Sequence, residues 1–326
     1  MSSSERHAAL SGGPIVSRET PRNLAASVRQ RLFNRVQERH EDFGLVLTKY
    51  GLERFLYRLA HSQYRDQFVL KGALLFELWT HHPYSPTRDL DLEGQGDNSI
   101  ARIKQVFAEI IGQPVEDDGL IFDLKSLRVA RIKEEQEYEG LRINFIARLE
   151  RAKIHMQVDV GFGDIIVPAP EEIEYSQMLD FPSARLMAYP RETVVAEKLE
   201  AMVKLGMINT RMKDFYDLWK LARHFDFDGE LLCKAIKVTF ERRQTEVPTD
   251  TPLALTEEFS RDAQKVKQWQ SFVRKSNLDQ DGVTPDTVVT DLTEFLLLPL
   301  QAIGTSQKFQ MVWRNNGPWS PTTPNI

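Results

Sequence analysis

The chain has 326 residues, and 42 Lys plus Arg against 47 Asp plus Glu give it a formal net charge of −5. With 41% hydrophobic and 27% charged residues, the composition is that of a globular protein with a buried core. The single cysteine excludes an internal disulfide framework, and the seven histidines show no spacing of a structural zinc site. The net acidity argues against a general nucleic-acid coating protein but allows a local basic surface.

The chain shows no sign of a membrane segment. No apolar run approaches the ~18 residues of a membrane-spanning helix, and the polar start lacks the apolar core of a signal peptide. We therefore predict a cytoplasmic protein. At about 100–200 residues per domain, the length predicts two domains, or one large domain with an appendage.

The N-terminal part begins with a segment that has no apolar period. Residues 1–19 are rich in Ser and Gly and predict a flexible arm. Thr20-Pro21 supplies an N-cap and a first-turn proline for a helix whose apolar residues recur every four positions. A neighbouring stripe of this helix suits phosphate contact, although a solvated flank is the commoner explanation of such a pattern. The stripe consists of Arg31, Arg35 and Arg39.

The next segments alternate between helical and strand patterns. Apolar period, short apolar runs and turn residues define them. In chain order we predict a helix over 43–61, a strand over 68–70, a turn at 71–72, a helix over 73–79, a strand over 87–92, a helix over 100–111 and strands over 141–146 and 154–160.

Four prolines make residues 167–190 an irregular connector, beyond which the apolar patterns are helical. The predicted fold class is therefore α+β, with a small mixed sheet flanked by helices and a helical C-terminal domain. The predicted C-terminal helices are Arg191 to Leu205, Asn209 to His224, Thr251 to Lys275 and Pro285 to Leu298. The predicted divisions are the arm 1–19, a core 20–170, a helical domain 171–303 and a poorly ordered tail 304–326.

Asp89 and Asp91 lie two apart on a predicted strand, so both carboxylates project from the same face and can bind one cation together. Magnesium takes one or two carboxylates and keeps its other positions for water and phosphate oxygens. Asp-x-Asp by itself favours an exposed strand face or a turn at the end of a strand over metal binding, by about three to one. Asp159 changes this balance, because a carboxylate within an apolar strand is costly unless it is paired or liganded. The three carboxylates predict a metal site.

Lys71, Gly72 and Ala73 stand at a turn from a strand to a helix. A glycine there lets backbone amides approach a phosphate, and the helix N-terminus adds a favourable dipole. One glycine is a weak indication, because Gly72 also fits an ordinary turn and Lys71 an ordinary surface lysine.

Lys198 interrupts the apolar face of its predicted helix, while Glu197 and Glu200 occupy the opposite, polar face. The Lys198 ammonium either reaches solvent along its stem or meets an anion such as a phosphate.

The next helix carries Arg211, Asp214 and Asp217 three residues apart along one flank. A surface Arg211–Asp214 pair explains only part of this row. A carboxylate that faces Lys198 would position it or act as a base toward an attacking hydroxyl.

Together these residues resemble the AbiEii/AbiGii-type nucleotidyltransferases, which are toxins of type IV toxin–antitoxin systems with a polymerase-beta-like catalytic domain. The resemblance spans about residues 68–220 and rests on several motifs in one order, which is far more specific than any single motif. The matching segments are 69–75 with Lys-Gly, 85–92 with Asp-x-Asp, 138–142, 196–201 with its lysine and 211–218 with its aspartates.

The resemblance implies that Asp89 and Asp91 hold Mg²⁺ or Mn²⁺, and that Asp159 completes the metal site or deprotonates the acceptor hydroxyl. Lys198 would neutralise developing charge. The implied fourth-motif aspartate is Asp214 or Asp217, with a slight preference for Asp217.

The family usually has a second small residue, Gly or Ser, where this chain has Ala73, so backbone amides would have to seat the phosphates without a hydroxyl. The implied nucleotide-binding residues are Lys71, Gly72, Ala73, Arg88 and Arg211.

The resemblance also implies transfer of a nucleoside monophosphate from an NTP to an RNA acceptor, the tRNA 3′ end in related toxins, and a cognate antitoxin encoded nearby. Alternatives are a glycosyltransferase, an NTP- or RNA-binding regulatory or defence module without transfer, and transfer to a protein hydroxyl. The candidate RNA contacts are the Arg31, Arg35 and Arg39 stripe together with Arg142, Arg148, Arg151 and Lys153.

Overall fold

The computed structural model describes residues 23–80, 87–132, 140–278 and 282–322. The predicted arm 1–19 and the predicted helix start at Thr20 lie outside these ranges. So do Ser85 and Tyr138, the first residues of two of the motifs. The predicted fold class is confirmed, since a mixed sheet is flanked by helices and followed by further helices.

Most predicted helices and strands are present with nearly the predicted bounds. The helices are α1 Leu24–Arg39, α2 Phe43–His61, α3 Ala73–Thr80, α4 Ile100–Ile111, α5 Arg191–Leu205, α6 Met212–His224, α7 Gly229–Arg242, α8 Glu257–Arg261, α9 Ala263–Lys275 and α10 Pro285–Gly304. The strands are β1 Phe68–Lys71, β2 Asp89–Gly94, β3 Leu120–Ile132, β4 Gly140–Leu149, β5 Ala152–Phe162, β6 Glu171–Tyr175, β7 Ala184–Ala188, β8 Phe227–Asp228, β9 Met311–Trp313 and β10 Trp319–Pro321.

Among the described residues, seven strands form the main sheet in the order β3-β4-β5-β2-β1-β7-β6. At its centre β2 runs parallel to β5 and antiparallel to β1. One face is apolar because alternate residues of β4, such as Ile143 and Phe145, are buried, whereas the alternating residues Arg142 and Asn144 are exposed. Helices α2 and α4 cover the apolar face, where Phe55 stacks with Phe107. The opposite face therefore carries the polar side chains.

The prediction of an irregular connector over 167–190 was wrong. Strands β6 and β7 lie within it, and Leu70 of β1 pairs with Ala188 of β7, so the sheet extends beyond residue 170. The prolines lie outside these two strands, where they leave the ladder hydrogen bonds intact. The domain boundary near 170 stays a prediction.

The prediction of a poorly ordered tail over 304–326 was also wrong for its described part, which ends at residue 322. Strands β9 and β10 form a three-stranded sheet with β8. Trp313 and Trp319 are buried, and their indole nitrogens donate hydrogen bonds to the carbonyls of Ala222 and Phe295. These contacts fix residues 311–321 against α6 and α10.

Helix α10 has the length and hydropathy of a membrane span, unlike the other helices in the described part of the chain. Its apolar side chains Leu292, Phe295 and Leu296 are fully buried, and the helix packs against α6 and α7. Here the apolar composition serves the core of the helical part.

Candidate active site

The three predicted metal-binding carboxylates lie on one face of the sheet. In the parallel pairing of β2 with β5, Asp89 stands opposite Gln157 and Asp91 opposite Asp159. Burial raises the pKa of Asp91 to about 6, and repulsion from Asp159 and Asp89 adds to this. Burial and the Asp159 charge also raise the pKa of Asp89. Carboxylates crowded in this way favour a bound cation.

Arg142 supplies a cation at this place. Its Nε and Nη2 donate to the two carboxylate oxygens of Asp159 at 2.9 and 2.7 Å. Within the described ranges no three His, Cys, Asp or Glu side chains form a ready set of metal ligands. The three-carboxylate metal site therefore stays a prediction, although Asp89 and Asp91 fit a divalent cation in charge and placement.

Gly72 links β1 to α3 in a backbone conformation with φ of 77°. A Cβ atom at this position would collide with the carboxylate of Asp91. The missing side chain thus lets the turn and the N-terminus of α3, which begins at Ala73, pack directly beside Asp91. The sequence placed this turn correctly.

Lys198 of α5 is held by two carboxylates of α6. It forms ion pairs with Asp214 and, at 2.8 Å, with Asp217, which is 0% exposed. Although burial alone would lower the pKa of Lys198, the two carboxylates outweigh this effect and raise it. Both aspartates thus meet Lys198, so the choice between them stays open.

Lys213, to which the sequence analysis assigned no role, also belongs to this group. Its ammonium lies 3.0 Å from Asp217 and 5.5 Å from the centre of the Phe76 ring. Its positive charge offsets part of the rise in the pKa of Asp91. The ammonium of Lys198 lies over the same ring at 5.6 Å. Lys198 and Lys213 therefore both lie at Asp217 and over the Phe76 ring.

A cavity of about 250 Å³ lies between the sheet and α5 and α6, and we call it the Asp91 cavity. Asp214 lines it, whereas Asp217 is not among the residues around it. Ala73 and Arg88 do not line it either. The predicted residues that line it are Lys71, Gly72, Asp91, Lys198, Arg211 and Asp214.

One end of the Asp91 cavity is formed by a buried network of charges. Lys71 pairs with Glu93 at 2.7 Å, and Arg243, the residue after α7, pairs with Glu200 at 3.1 Å and with Asp164 at 3.2 Å. Lys71 is therefore not the ordinary surface lysine that the sequence also allowed.

The network also shows that the polar face of α5 with Glu197 and Glu200 packs against other charged residues. Glu200 is buried, and burial raises the pKa of Glu197 to about 7. Arg243 pairs with both of them, and the sequence analysis did not predict the helix that brings this arginine to α5.

The predicted RNA contacts fall into two groups. Arg148 and Lys153 are cross-strand neighbours on the β4–β5 hairpin, and Arg151 lies in its turn. On α1, Arg31 lies over the Phe181 ring and Arg35 pairs with Glu41. Neither these two nor Arg39 lines a cavity beside the carboxylates. All of these RNA contacts stay predictions.

The order of the motifs along the chain agrees with a known family. The family model described as "Nucleotidyl transferase AbiEii toxin, Type IV TA system" matches residues 54–289. The chain belongs to this family. No curated protein matches the chain. As an AbiEii family member it is a nucleotidyltransferase, and its toxin–antitoxin class implies an antitoxin partner.

Two solved structures from Helicobacter pylori are similar to this AbiEii family member. One, described as a candidate nucleotidyltransferase, is 16% identical with a TM-score of 0.43 and covers 78% of this chain and 92% of its own. The other, JHP933, is 17% identical with a TM-score of 0.42 and covers 78% of this chain and 89% of its own.

Replacement of Gly72 by alanine tests the contact between the turn and Asp91. We expect a loss of about 1–2 kcal/mol in the free energy of unfolding from the left-handed backbone. We also expect nucleotidyl transfer to fall about 100-fold, since the Cβ atom displaces Asp91. Urea unfolding and the initial transfer rate measure the two effects.

Gly96→Ala is the matched control, because Gly96 has φ of 94° and no atom within 4 Å of an added Cβ. It should show the same backbone strain and keep its transfer rate. Transfer at the wild-type rate by Gly72→Ala would show that transfer does not depend on the position of Asp91 beside this turn.

Proposed function

We propose that this protein is a toxin that transfers a nucleoside monophosphate from an NTP to the 3′ end of an RNA, with tRNA as the acceptor, in a reaction that needs Mg²⁺ or Mn²⁺. The observation that carries the proposal is the Asp91 cavity, where Gly72, Asp91 and Lys198 come together from the β1–α3 turn, β2 and α5. A phosphate-seating turn, a carboxylate pair and a buried cation are the parts that phosphoryl transfer requires.

In this mechanism the backbone at Gly72 and the N-terminus of α3 seat the triphosphate. Asp89 and Asp91 would hold the divalent cation, which when bound neutralises charge on the phosphates. Lys198, fixed by Asp214 and Asp217, stabilises the negative charge that develops on the phosphates.

The bond that forms joins the acceptor oxygen to the α-phosphorus, and the bond that breaks releases pyrophosphate. The acceptor hydroxyl loses its proton to Asp159, which is the carboxylate opposite Asp91 on β5. Arg142 orients this carboxylate through its two hydrogen bonds.

As a type IV toxin acting on tRNA, the protein would work in the cytoplasm, in abortive infection and phage defence, and would be restrained by the cognate antitoxin. The presence of each catalytic carboxylate and of Lys198 favours transfer over binding alone.

The test is transfer itself. Purified protein is incubated with magnesium, each α-phosphate-labelled NTP in turn and total tRNA, beside Asp89→Asn, and products are separated on a denaturing gel. Label in tRNA with the unmodified protein alone supports the proposal and names the nucleotide. If pyrophosphate is released only when a protein acceptor is supplied, the acceptor is a protein and not RNA. Binding of NTP without any turnover indicates a binding module instead.

A further inference from the structure

A second cavity lies on the other side of the carboxylate pair. It has a volume of about 370 Å³, and we call it the Asp89 cavity. Asp89 lines this cavity and Asp91 lines the first one, so the Asp-x-Asp pair stands between the two. The polar side chains that line it with Asp89 include Arg88, Asn144, Lys153, His155 and Gln157.

These side chains form a row that leads away from the catalytic carboxylates. Asn144 is opposite Gln157 in the β4–β5 ladder, one step along from the Arg142–Asp159 pair. Gln157 donates a hydrogen bond to Asp159 at 3.3 Å and so connects the cavity to the carboxylates.

The side chains in the outer part of the row can form further hydrogen bonds. Asn144, Lys153 and His155 are exposed, and within the part of the chain that the structure describes their side chains make no hydrogen bond or ion pair. Arg88 is 68% exposed, and among the described residues its charged partner is Asp42, at a long 3.7 Å. An amide, an imidazole and two cations thus line the cavity beside Asp89.

The geometry of phosphoryl transfer assigns the two cavities different substrates. The attacking oxygen and the leaving pyrophosphate lie roughly in line on opposite sides of the α-phosphorus. Because Gly72 and Lys198 place the triphosphate in the Asp91 cavity, the acceptor hydroxyl must approach from the side of Asp89 and Asp159.

We propose that the Asp89 cavity binds the 3′-terminal nucleotide of the RNA acceptor. This inference rests on the proposed function. Arg88 and Lys153 pair with the acceptor phosphates, and Asn144 and His155 form hydrogen bonds to the terminal nucleoside. The row continues beyond the cavity to Arg148, the cross-strand neighbour of Lys153, so that cations follow the strand of the acceptor outward.

Lys153→Glu and His155→Ala test this assignment, with KM measured separately for RNA and for NTP. We expect Lys153→Glu to raise KM for RNA at least tenfold and to weaken its dependence on salt, since one phosphate contact is lost. His155→Ala should raise KM for RNA several-fold at every salt concentration. Neither variant should change KM for NTP by more than twofold, because both residues lie outside the Asp91 cavity.

Lys104→Glu is the matched control. Lys104 is an exposed lysine on α4, which covers the opposite face of the sheet, so the same change of charge there should leave KM for RNA unaltered. Thermal unfolding of all three variants checks that they fold.

The outcomes separate this inference from the proposed function. Transfer to RNA by the wild-type protein, with KM for RNA unchanged in both cavity variants, overturns the acceptor site and leaves the function standing. An equal rise of KM for RNA and for NTP also overturns it. Transfer by the wild-type protein to a protein hydroxyl only, or to no acceptor, overturns the function and the acceptor site together.

Discussion

Replacement of Asp91 by asparagine is expected to lower the rate of nucleotidyl transfer by about 1,000-fold or more. The same replacement is expected to stabilise the metal-free protein at pH 8. The two effects have one cause. Asp91 is largely buried beside two other carboxylates, and its pKa in the folded protein is raised to about 6. An asparagine keeps the shape of the side chain and removes a negative charge that the fold tolerates poorly but that a bound cation requires.

The pH dependence of this stabilisation follows from the direction of the pKa shift. A carboxyl group whose folded pKa lies above its unfolded pKa of about 3.9 costs stability as pH rises through that window, and the cost is complete above the folded pKa. At 1.36 kcal/mol per pKa unit, Asp91→Asn should gain about 2–3 kcal/mol above pH 7 and almost nothing near pH 4.

Thermal unfolding in the presence of EDTA at pH 4, 6 and 8 measures this gain. Asp66→Asn is the control, because Asp66 is exposed on the turn before β1, and it should change neither stability nor transfer. Equal stabilisation by Asp91→Asn at all three pH values would contradict the burial of a charged Asp91, and retained transfer would contradict its catalytic role.

Local pattern was sufficient for the elements that carry the motifs. Helix α2 was predicted over 43–61, and the strand, turn and helix from Phe68 to Thr80 were predicted nearly residue by residue, because apolar period and Gly72 determine them locally. The same holds for Asp89 and Asp91, whose common face follows from the period of two in a strand.

Other elements depend on partners that are distant in the sequence. Strand β3, Leu120–Ile132, shows no clean alternation because its pairing with β4 is interrupted by an irregularity between Asp123 and Arg128. Strands β6 and β7 are short and lie between prolines. Their strand structure comes from the sheet edge that β1 offers.

The charge network at the Asp91 cavity was missed for a similar reason. Glu197 and Glu200 look solvent-exposed on an isolated helix, and only the packing of α7 against α5 brings Arg243 to them. Lys213 lies within the fourth motif, and its spacing of four from Asp217 would have been enough to predict their ion pair. In contrast, spacing along the chain contains no information on Arg243.

Lys198→Met is expected to lower both stability and activity. Removing the ammonium takes from Asp214 and from Asp217 the cation that they share, and breaking a buried pair from one side costs about 3 kcal/mol. Transfer should fall by about 100–1,000-fold, because the charge that stabilises the phosphates is lost. Urea unfolding and single-turnover transfer rates measure the two losses.

A second substitution separates the structural role of Lys198 from its catalytic one. Asp214→Asn in the Lys198→Met background removes the unpaired carboxylate, so most of the lost stability should return. The transfer rate should stay low, because no cation has been restored to the Asp91 cavity. If transfer recovers together with stability, Lys198 serves only to neutralise α6. If Lys198→Met is inactive at full stability, the ion pairs with Asp214 and Asp217 contribute nothing to the fold, and Lys198 acts on the phosphates alone.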